Sequence, residues 1–573
     1  MMLKTIKRHG DTLILVAAIL TVASLRAIGL DKFVTVDEPA WLVYSANFYY
    51  ALGQKEFEKT VYEYQPAVTS MWITTAALVS YFPQYRGQGQ GYFTKHWQFN
   101  QFLDSFDKHP LELLRRSRLI ALGLNTILLL FVFLMLRLLL DGELSFTATL
   151  FISLDPYFAG HSRLLNHEAL MGLFLLISLL GMLIYTEVHR RKLFLAISGI
   201  SAGFALLTKS SATVIIPLVY LILLIEFTRR WLRERHFLKA LRVFLAVFLL
   251  WLAFLMLAYT LAWPGMWVNP VKMLTEVYGN AFSYAFQGAR LSLSQELDPQ
   301  EFSLETGGII PYIRLLLWGT TPIQWGAVLL TVMSVLKKDS IFVNSKTKVV
   351  FVYLGFLAVL FILLFGIARG RNSPHYILTS YMSLDVLAGI GIIAGLRVLG
   401  ASFPILNRRL VRRGILLGVL LVQGLLAYSQ YPYFYTYTNP VMAWLERGTT
   451  NPNTGYGEGL DLAGEYLSQK PGAEGLTAMS WYGIGPFSYF FKGQTYALLP
   501  GNLMSQQTVD ELKDSDYLVI YDVQQSRRNY YQDLMQALEA VPAEHVIWKD
   551  GIEYIRIYKV DLLPDHVLSM LHD

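Results

Sequence analysis

The chain has no cysteine in its 573 residues. That excludes a disulfide framework, a Cys-ligated zinc and a thiol nucleophile. Charge is also scarce: Asp, Glu, Lys and Arg together make 16% of the residues, against about 25% in a soluble domain. The polar surface that water requires is therefore missing. There is no internal repeat and no low-complexity tract. A formal charge of +6 is compatible with nucleic acid as a partner. The cations, however, cluster between apolar blocks without the interleaved aromatics that single-strand binding uses, and nucleic acid is excluded on that pattern.

Apolar residues are what the chain has in plenty. They make up 54% of it, with a mean hydropathy of +0.40, and they gather in blocks of about the twenty residues that cross a hydrocarbon core. The blocks lie near Thr12–Leu30, Leu119–Leu140, Leu144–Phe158, Ala169–Tyr185, Phe194–Leu207, Thr213–Phe227, Val243–Trp263, Ile309–Leu336, Val349–Ile367, Tyr376–Val398 and Gly414–Tyr428. A polytopic α-helical membrane protein with about eleven transmembrane helices follows, three of the blocks being short for a span. The first block has a basic start, as a signal peptide would, but is long and is followed by no small-residue cleavage pattern, so it reads as a retained span.

With the N-terminus cytoplasmic, every second loop carries a basic cluster: Lys4, Lys7 and Arg8; Arg190 to Lys192; Arg229 to Arg242; Lys337 to Lys348; and Arg397 to Arg413. The positive-inside rule gives this alternation. Arg115, Arg116 and Arg118, outside at the start of the second span, are its exception. The C-terminus is then extracytoplasmic. The chain divides into a membrane body, residues 1–430, and an outer segment, residues 431–573. The latter reads as a small α/β domain: helix Leu460–Ser468, strand Leu476–Trp481, strand Tyr517–Tyr521, helix Tyr530–Ala540, then a hairpin turning at Asp550-Gly551. The first outer loop, residues 31–114, begins with the paired acids Asp37 and Glu38. It continues into an amphipathic stretch (Trp41, Tyr44, Phe48, Tyr49, Leu52) expected to lie in the interface plane.

Sorted by side, the chemistry-bearing residues collect at the outer rim. Asp37 and Glu38 are there, as is "LDPYFAGHSRLLNHEAL" with Asp155, His161, Arg163, His167 and Glu168. "LLTKSS" brings Lys209, and "GIARGRNSPHY" brings Arg369, Arg371, His375 and Tyr376. Carboxylates can act as bases or metal ligands, and Arg or Lys can clamp a phosphate. Such a rim suits an anionic, membrane-borne substrate. Each residue also has a plainer reading. Asp37-Glu38-Pro39 can cap a helix, Glu168 can be a favourable charge at a helix start, and Lys209 can snorkel. Arg369 and Arg371 can face lipid headgroups, and Asp155-Pro156 can end a helix.

Taken in order, Asp37-Glu38, "RRSRLIALGLN", "LDPYFAGHSRLLNHEALMGLFLL", "GFALLTKSS" and "SPHYILTSYMSLDVLAGIG" resemble bacterial members of the protein O-mannosyltransferase family, glycosyltransferase family 39. They are more distantly similar to the aminoarabinose transferases of lipid A. The resemblance implies a GT-C fold and an enzyme that takes a sugar from a polyprenyl-phosphate donor on the extracytoplasmic face, passing it to a protein, glycan or lipid acceptor. It makes Asp37 the base, with Glu38 and Glu168 as its catalytic partners. Arg163, Lys209, Arg369, Arg371 and His375 become donor-phosphate ligands, and Arg118, His161, His167 and Tyr376 line the substrate cavity. His375 stands where relatives commonly carry Arg, and Gln65-Pro66-Ala67 replaces a common His-Pro-Pro. This reading fixes no cofactor and leaves a divalent metal ion open, for which Asp37 and Glu168 are the candidate ligands. The rival class is a lipid or glycan transporter without chemistry, which would place polar groups near the bilayer midplane on broken helices. A scaffold for envelope assembly would account for the tail but not for the rim.

Overall fold

The computed structural model describes residues 2–287, 308–337, 340–343, 345–368, 373–446, 454–498, 505–521, 532–549 and 552–564. Arg369 and Arg371 lie outside the described residues, as does the turn at Asp550-Gly551. The protein is a multi-pass α-helical membrane protein with a small sheet domain at its C-terminal end. Among the described residues seven helices are long and apolar enough to cross a bilayer: Pro110–Leu139, Glu168–Glu187, Ser210–Glu234, Phe237–Ala262, Ser345–Ile367, Pro374–Ser402 and Arg409–Tyr428. Three shorter apolar helices, Thr12–Arg26, Gly142–Leu154 and Lys192–Thr208, and one bent pair coincide with the remaining blocks.

The bent pair corrects one expectation. Ile309–Leu336 is not a single rod: Ile309–Gly319 and Pro322–Leu336 meet at 114°. Pro322 cannot continue a helix from the preceding turn and pushes Thr321 into an extended conformation (ψ 155°). Thr321 and Gln324 then cap the new helix reciprocally. Asn439 secures the break, donating its side-chain amide to the Thr320 carbonyl (2.6 Å) and its backbone N–H to that of Trp318 (2.9 Å).

Small residues let the spans touch backbone to backbone. A Cβ at Gly389 would lie 2.4 Å from Ala148 Cα, and one at Gly391 would lie 1.8 Å from the Ala327 carbonyl oxygen. "LDVLAGIG" thus wedges Pro374–Ser402 between Gly142–Leu154 and Pro322–Leu336. At the basic end of the bundle, acids answer the Lys and Arg clusters: Arg397 and Arg412 pair with Asp141 and Glu143, and Arg190 and Arg229 with Glu226 and Glu187. The three cations that broke the charge alternation are neutralised locally. Arg115 and Arg116 both bond Glu112, at 2.7 and 2.8 Å, and Arg118 bonds Glu38.

The first loop folds into helices that belong to the protein interior. In Glu38–Gln54, Trp41, Tyr44, Phe48 and Tyr49 are buried, so the expected interfacial helix is a packed one; its aromatics meet Tyr62, Trp72, Tyr85 and His167. Among the described residues of the C-terminal segment five strands form one sheet in the order β2-β1-β3-β5-β4: β1 Thr477–Trp481, β2 Gln494–Leu498, β3 Tyr517–Tyr521, β4 His545–Lys549 and β5 Ile552–Lys559. β1 runs parallel to both β2 and β3, while β5 is antiparallel to β3 and β4. Leu460, Ala463, Leu467, Leu518, Ile520 and Ile557 anchor a core separate from that of the membrane body. β2 was not foreseen: "QTYAL" is a short edge strand with little apolar signal.

Candidate active site

Asp37 and Glu38 open the helix Glu38–Gln54, with Pro39 in its first turn. Their carboxylates have opposite surroundings. Glu38 is fully buried and accepts from five donors: Thr35 N–H and Oγ1–H (both 2.9 Å), Leu165 N–H (2.8 Å), and Arg118 Nε (2.8 Å) and Nη2. Arg118 also donates to the carbonyls of Leu30 and Phe33 and lies over the Phe33 ring. Burial alone would raise the Glu38 carboxyl, but Arg118 and the two backbone N–H groups outweigh it and hold it below the ordinary value. Glu38 therefore fastens the acid loop to the second span and to the segment before Glu168. It is a clamp with no lone pair to spare.

Asp37 is at the N-cap position, yet its side chain makes no capping bond and no other hydrogen bond among the described residues. The helix-cap reading fails there. The carboxylate reaches solvent while sitting deep among protein atoms. Loss of water around it pushes its pKa up to about 6, helped by the negative charge of Glu168 and opposed by Lys209. Glu38 and Glu63 add smaller upward pushes.

Across from Asp37, Glu168 starts the span Glu168–Glu187 and forms a buried ion pair with Lys209. His167 N–H donates to its other oxygen (3.2 Å), and His375 Nε2 lies 3.7 Å from Glu168 Oε1. The Lys209 ammonium sits 4.5 Å above the centre of the Tyr376 ring. Lys209 follows the helix Lys192–Thr208 in an extended conformation, and its buried side chain turns inward to the acid. His161 and His167 are buried and neutral, burial pulling both down to about 4. His161 Nδ1 bonds Asn166 (2.6 Å), His167 Nδ1 bonds Ser70 (2.8 Å), and the Nε2 atom of each has no partner among the described residues.

The fold thus brings together Asp37, Glu168, Lys209, His161, His167, His375 and Tyr376, which span 340 positions of sequence. It does not bring Arg163. That guanidinium donates to the carbonyls of Ile28 (2.7 Å) and Gly29 (2.6 Å) and faces the Phe434 ring. Its Nη2 braces the end of the first span, while its Nη1 has no partner among the described residues. Arg118, expected to line the cavity, is instead the partner of Glu38. Among the described residues no group of three His, Asp or Glu side chains gathers to hold a metal ion. Glu168 is moreover committed to Lys209. Two residues were missed in the sequence: Glu63, whose charge acts on Asp37, and Tyr456, whose hydroxyl hydrogen-bonds His375. The glycines around Tyr456, "GYGEG", mark a built turn but do not reveal where it docks.

Among solved structures, ArnT from Cupriavidus metallidurans bound to undecaprenyl phosphate aligns over 97% of this chain and 99% of its own, with 14% identity and a TM-score of 0.47. Its apo form aligns over the same shares at 13% identity and the same TM-score, 0.47. The Archaeoglobus fulgidus oligosaccharyltransferase in complex with Zn and sulfate aligns over 94% of this chain and 73% of its own, with 13% identity and a TM-score of 0.41. No curated protein matches the chain. Residues 115–254, the stretch that carries Arg118, Arg163, Glu168 and Lys209, match the family of dolichyl-phosphate-mannose-protein mannosyltransferases.

Proposed function

We propose that this protein is an integral-membrane glycosyltransferase that moves a sugar from a polyprenyl-phosphate donor to an acceptor hydroxyl at the extracytoplasmic membrane face. The observation that carries the reading is Asp37: a carboxylate without a hydrogen bond among the described residues, open to solvent and poised near 6 beside the Glu168–Lys209 pair. A base works best with a pKa near the ambient pH. Asp37 takes the proton of the acceptor hydroxyl as its oxygen bonds the anomeric carbon. The bond from that carbon to the carrier phosphate breaks, and the electron pair leaves with the phosphate. Lys209 has three ammonium donors, one of them engaged by Glu168, and it flanks the departing charge. The match of residues 115–254 to a family named for a lipid-phosphate-linked mannose supports the same class.

Asp37→Asn tests this directly. It keeps size and hydrogen bonding and removes the base, so transfer from a polyprenyl-phosphate sugar in detergent should fall by about two orders of magnitude or more, with donor binding retained. Near-normal transfer would end the reading.

One observation favours the transporter class. Asp385, inside the span Pro374–Ser402, accepts from Gln324 (2.5 Å) at the start of the broken helix, and Asp155 is near by. Both carboxyl groups are buried, and each leaves Oδ2 without a partner among the described residues. Buried acids beside a helix break are the mark of a transport site. Lipid flux into proteoliposomes that is lost in Asp385→Asn, with no sugar transferred by the unaltered chain, would decide for it.

A further inference from the structure

Tyr456 lies in the turn between the membrane body and the C-terminal sheet, and two of its atoms touch the acid site. Its carbonyl accepts the N–H of Val36, the neighbour of Asp37, at 3.2 Å. Its hydroxyl hydrogen-bonds the ring of His375, whose Nε2 faces Glu168. The turn is held from behind. Glu458, fully buried, accepts the N–H groups of Gly455 (3.1 Å) and Tyr456 (3.0 Å) and the hydroxyl of Tyr521. Tyr521 ends the central strand β3 and in turn accepts Gly457 N–H (3.3 Å). Gly457 has φ +102°, and a Cβ there would lie 3.1 Å from Pro486 and 3.3 Å from the Val34 carbonyl, so only glycine fits against the acid loop. A chain of bonds therefore runs from the middle of the sheet through Glu458 and Tyr456 to both sides of the site.

We propose that the C-terminal sheet domain is a working part of the site, with Tyr456 as its positioning residue. The carbonyl of Tyr456 sets the backbone beside Asp37, and its hydroxyl sets the His375 ring against Glu168. This rests on the glycosyltransferase reading. A domain that served only as an anchor would need neither contact: Pro39 against Gly485 already joins the two parts.

The full chain in detergent tests it, with undecaprenyl-phosphate mannose and undecaprenyl-phosphate aminoarabinose as donors and lipid A or envelope protein as acceptors. Tyr456→Phe keeps the ring and the carbonyl and removes only the hydroxyl. Its kcat should fall about tenfold, the worth of one hydrogen bond, at unchanged donor KM and melting temperature. His375→Ala should lose at least as much, and adding Tyr456→Phe to it should cost nothing further, because the hydroxyl acts through that ring. Independently of turnover, carbethoxylation of His375 by diethyl pyrocarbonate, read by peptide mass spectrometry, should become several-fold faster in Tyr456→Phe. Full kcat with unchanged labelling, losses that multiply in the double variant, or faster labelling of all histidines together with a lowered melting temperature would each overturn the proposal. If the unaltered chain transfers sugar from neither donor, it is the glycosyltransferase reading that fails; the labelling of His375 still decides the positioning claim.

Discussion

Asp37 and Glu38 are neighbours in the chain, carry the same functional group and begin the same helix, yet their surroundings are opposed. Glu38 is enclosed and meets five donors from three parts of the protein; Asp37 reaches solvent, meets none among the described residues and faces another acid. The difference teaches how a membrane protein keeps an unpaired carboxylate beside a fully paired one. A charge in a low-dielectric setting is tolerated when it is fully paired, so one acid of the pair is spent on fixing the loop. The loop, once fixed, holds the other acid where pairing is incomplete and its proton affinity is raised.

The largest effect that separates the two belongs to the clamp. Glu38→Ala would leave Arg118 buried without its counter-charge, a loss of about 3–5 kcal/mol by analogy with other broken buried pairs. The variant should accumulate poorly and lose its defined melting transition in detergent, whereas Asp37→Asn should purify like the parent. Glu38→Ala protein that folds normally but transfers no sugar would reverse the two roles.

Next in size is the pH dependence of turnover. If Asp37 is the base, it works only when ionised, and burial pushes its pKa up to about 6. The transfer rate should be flat above about pH 7 and drop about tenfold per unit well below pH 6, with donor binding nearly constant across that range. A profile that breaks near pH 4 would mean that Asp37 has an ordinary carboxylate environment and that its neighbour Glu168 does not act on it.

How much of this was readable in the residues depends on the distance over which each feature is decided. The spans were readable because hydropathy is a local sum; the eleven apolar blocks all return as helices, and the one misjudged, 309–336, is broken by a local capping box that length had masked. That Asp37 and Glu168 would converge was expected from their common side and from the resemblance; Arg163, expected near them, instead donates to Ile28 and Gly29. What sequence could not tell was which cations are free. Arg118 and Lys209 are both buried with an acid, and Arg163 is spent on two carbonyls, 134 and 135 positions away. Such commitments are settled by long-range partners, which no local pattern records. The same holds for Tyr456, whose role is visible only once the sheet domain has docked.

The smallest effect is on stability, and its sign is the sharpest test of the contrast. The folded Asp37 has a pKa near 6, above its ordinary 3.8, so the ionised form is disfavoured by folding. Well below 3.8 the proton is bound in both folded and unfolded chains and the residue carries no penalty; the penalty grows as pH rises between the two values and is complete above 6. Asp37→Asn removes it. The variant should therefore melt higher than the parent at pH 7.5, by only about 1–2 °C because the group reaches solvent and the chain is long, and most of the gain should be lost at pH 4. Glu38→Gln should show the opposite sign, since Arg118 holds the Glu38 carboxyl below its ordinary value. Its carboxylate contributes stability at neutral pH that is lost on acidification, so the variant should melt lower than the parent at pH 7.5 and approach it as the pH falls. Melting curves of the three proteins at the two pH values suffice. If Asp37→Asn melts below the parent at pH 7.5, Asp37 is a stabilising charge like its neighbour, and the division of labour between the two acids does not exist.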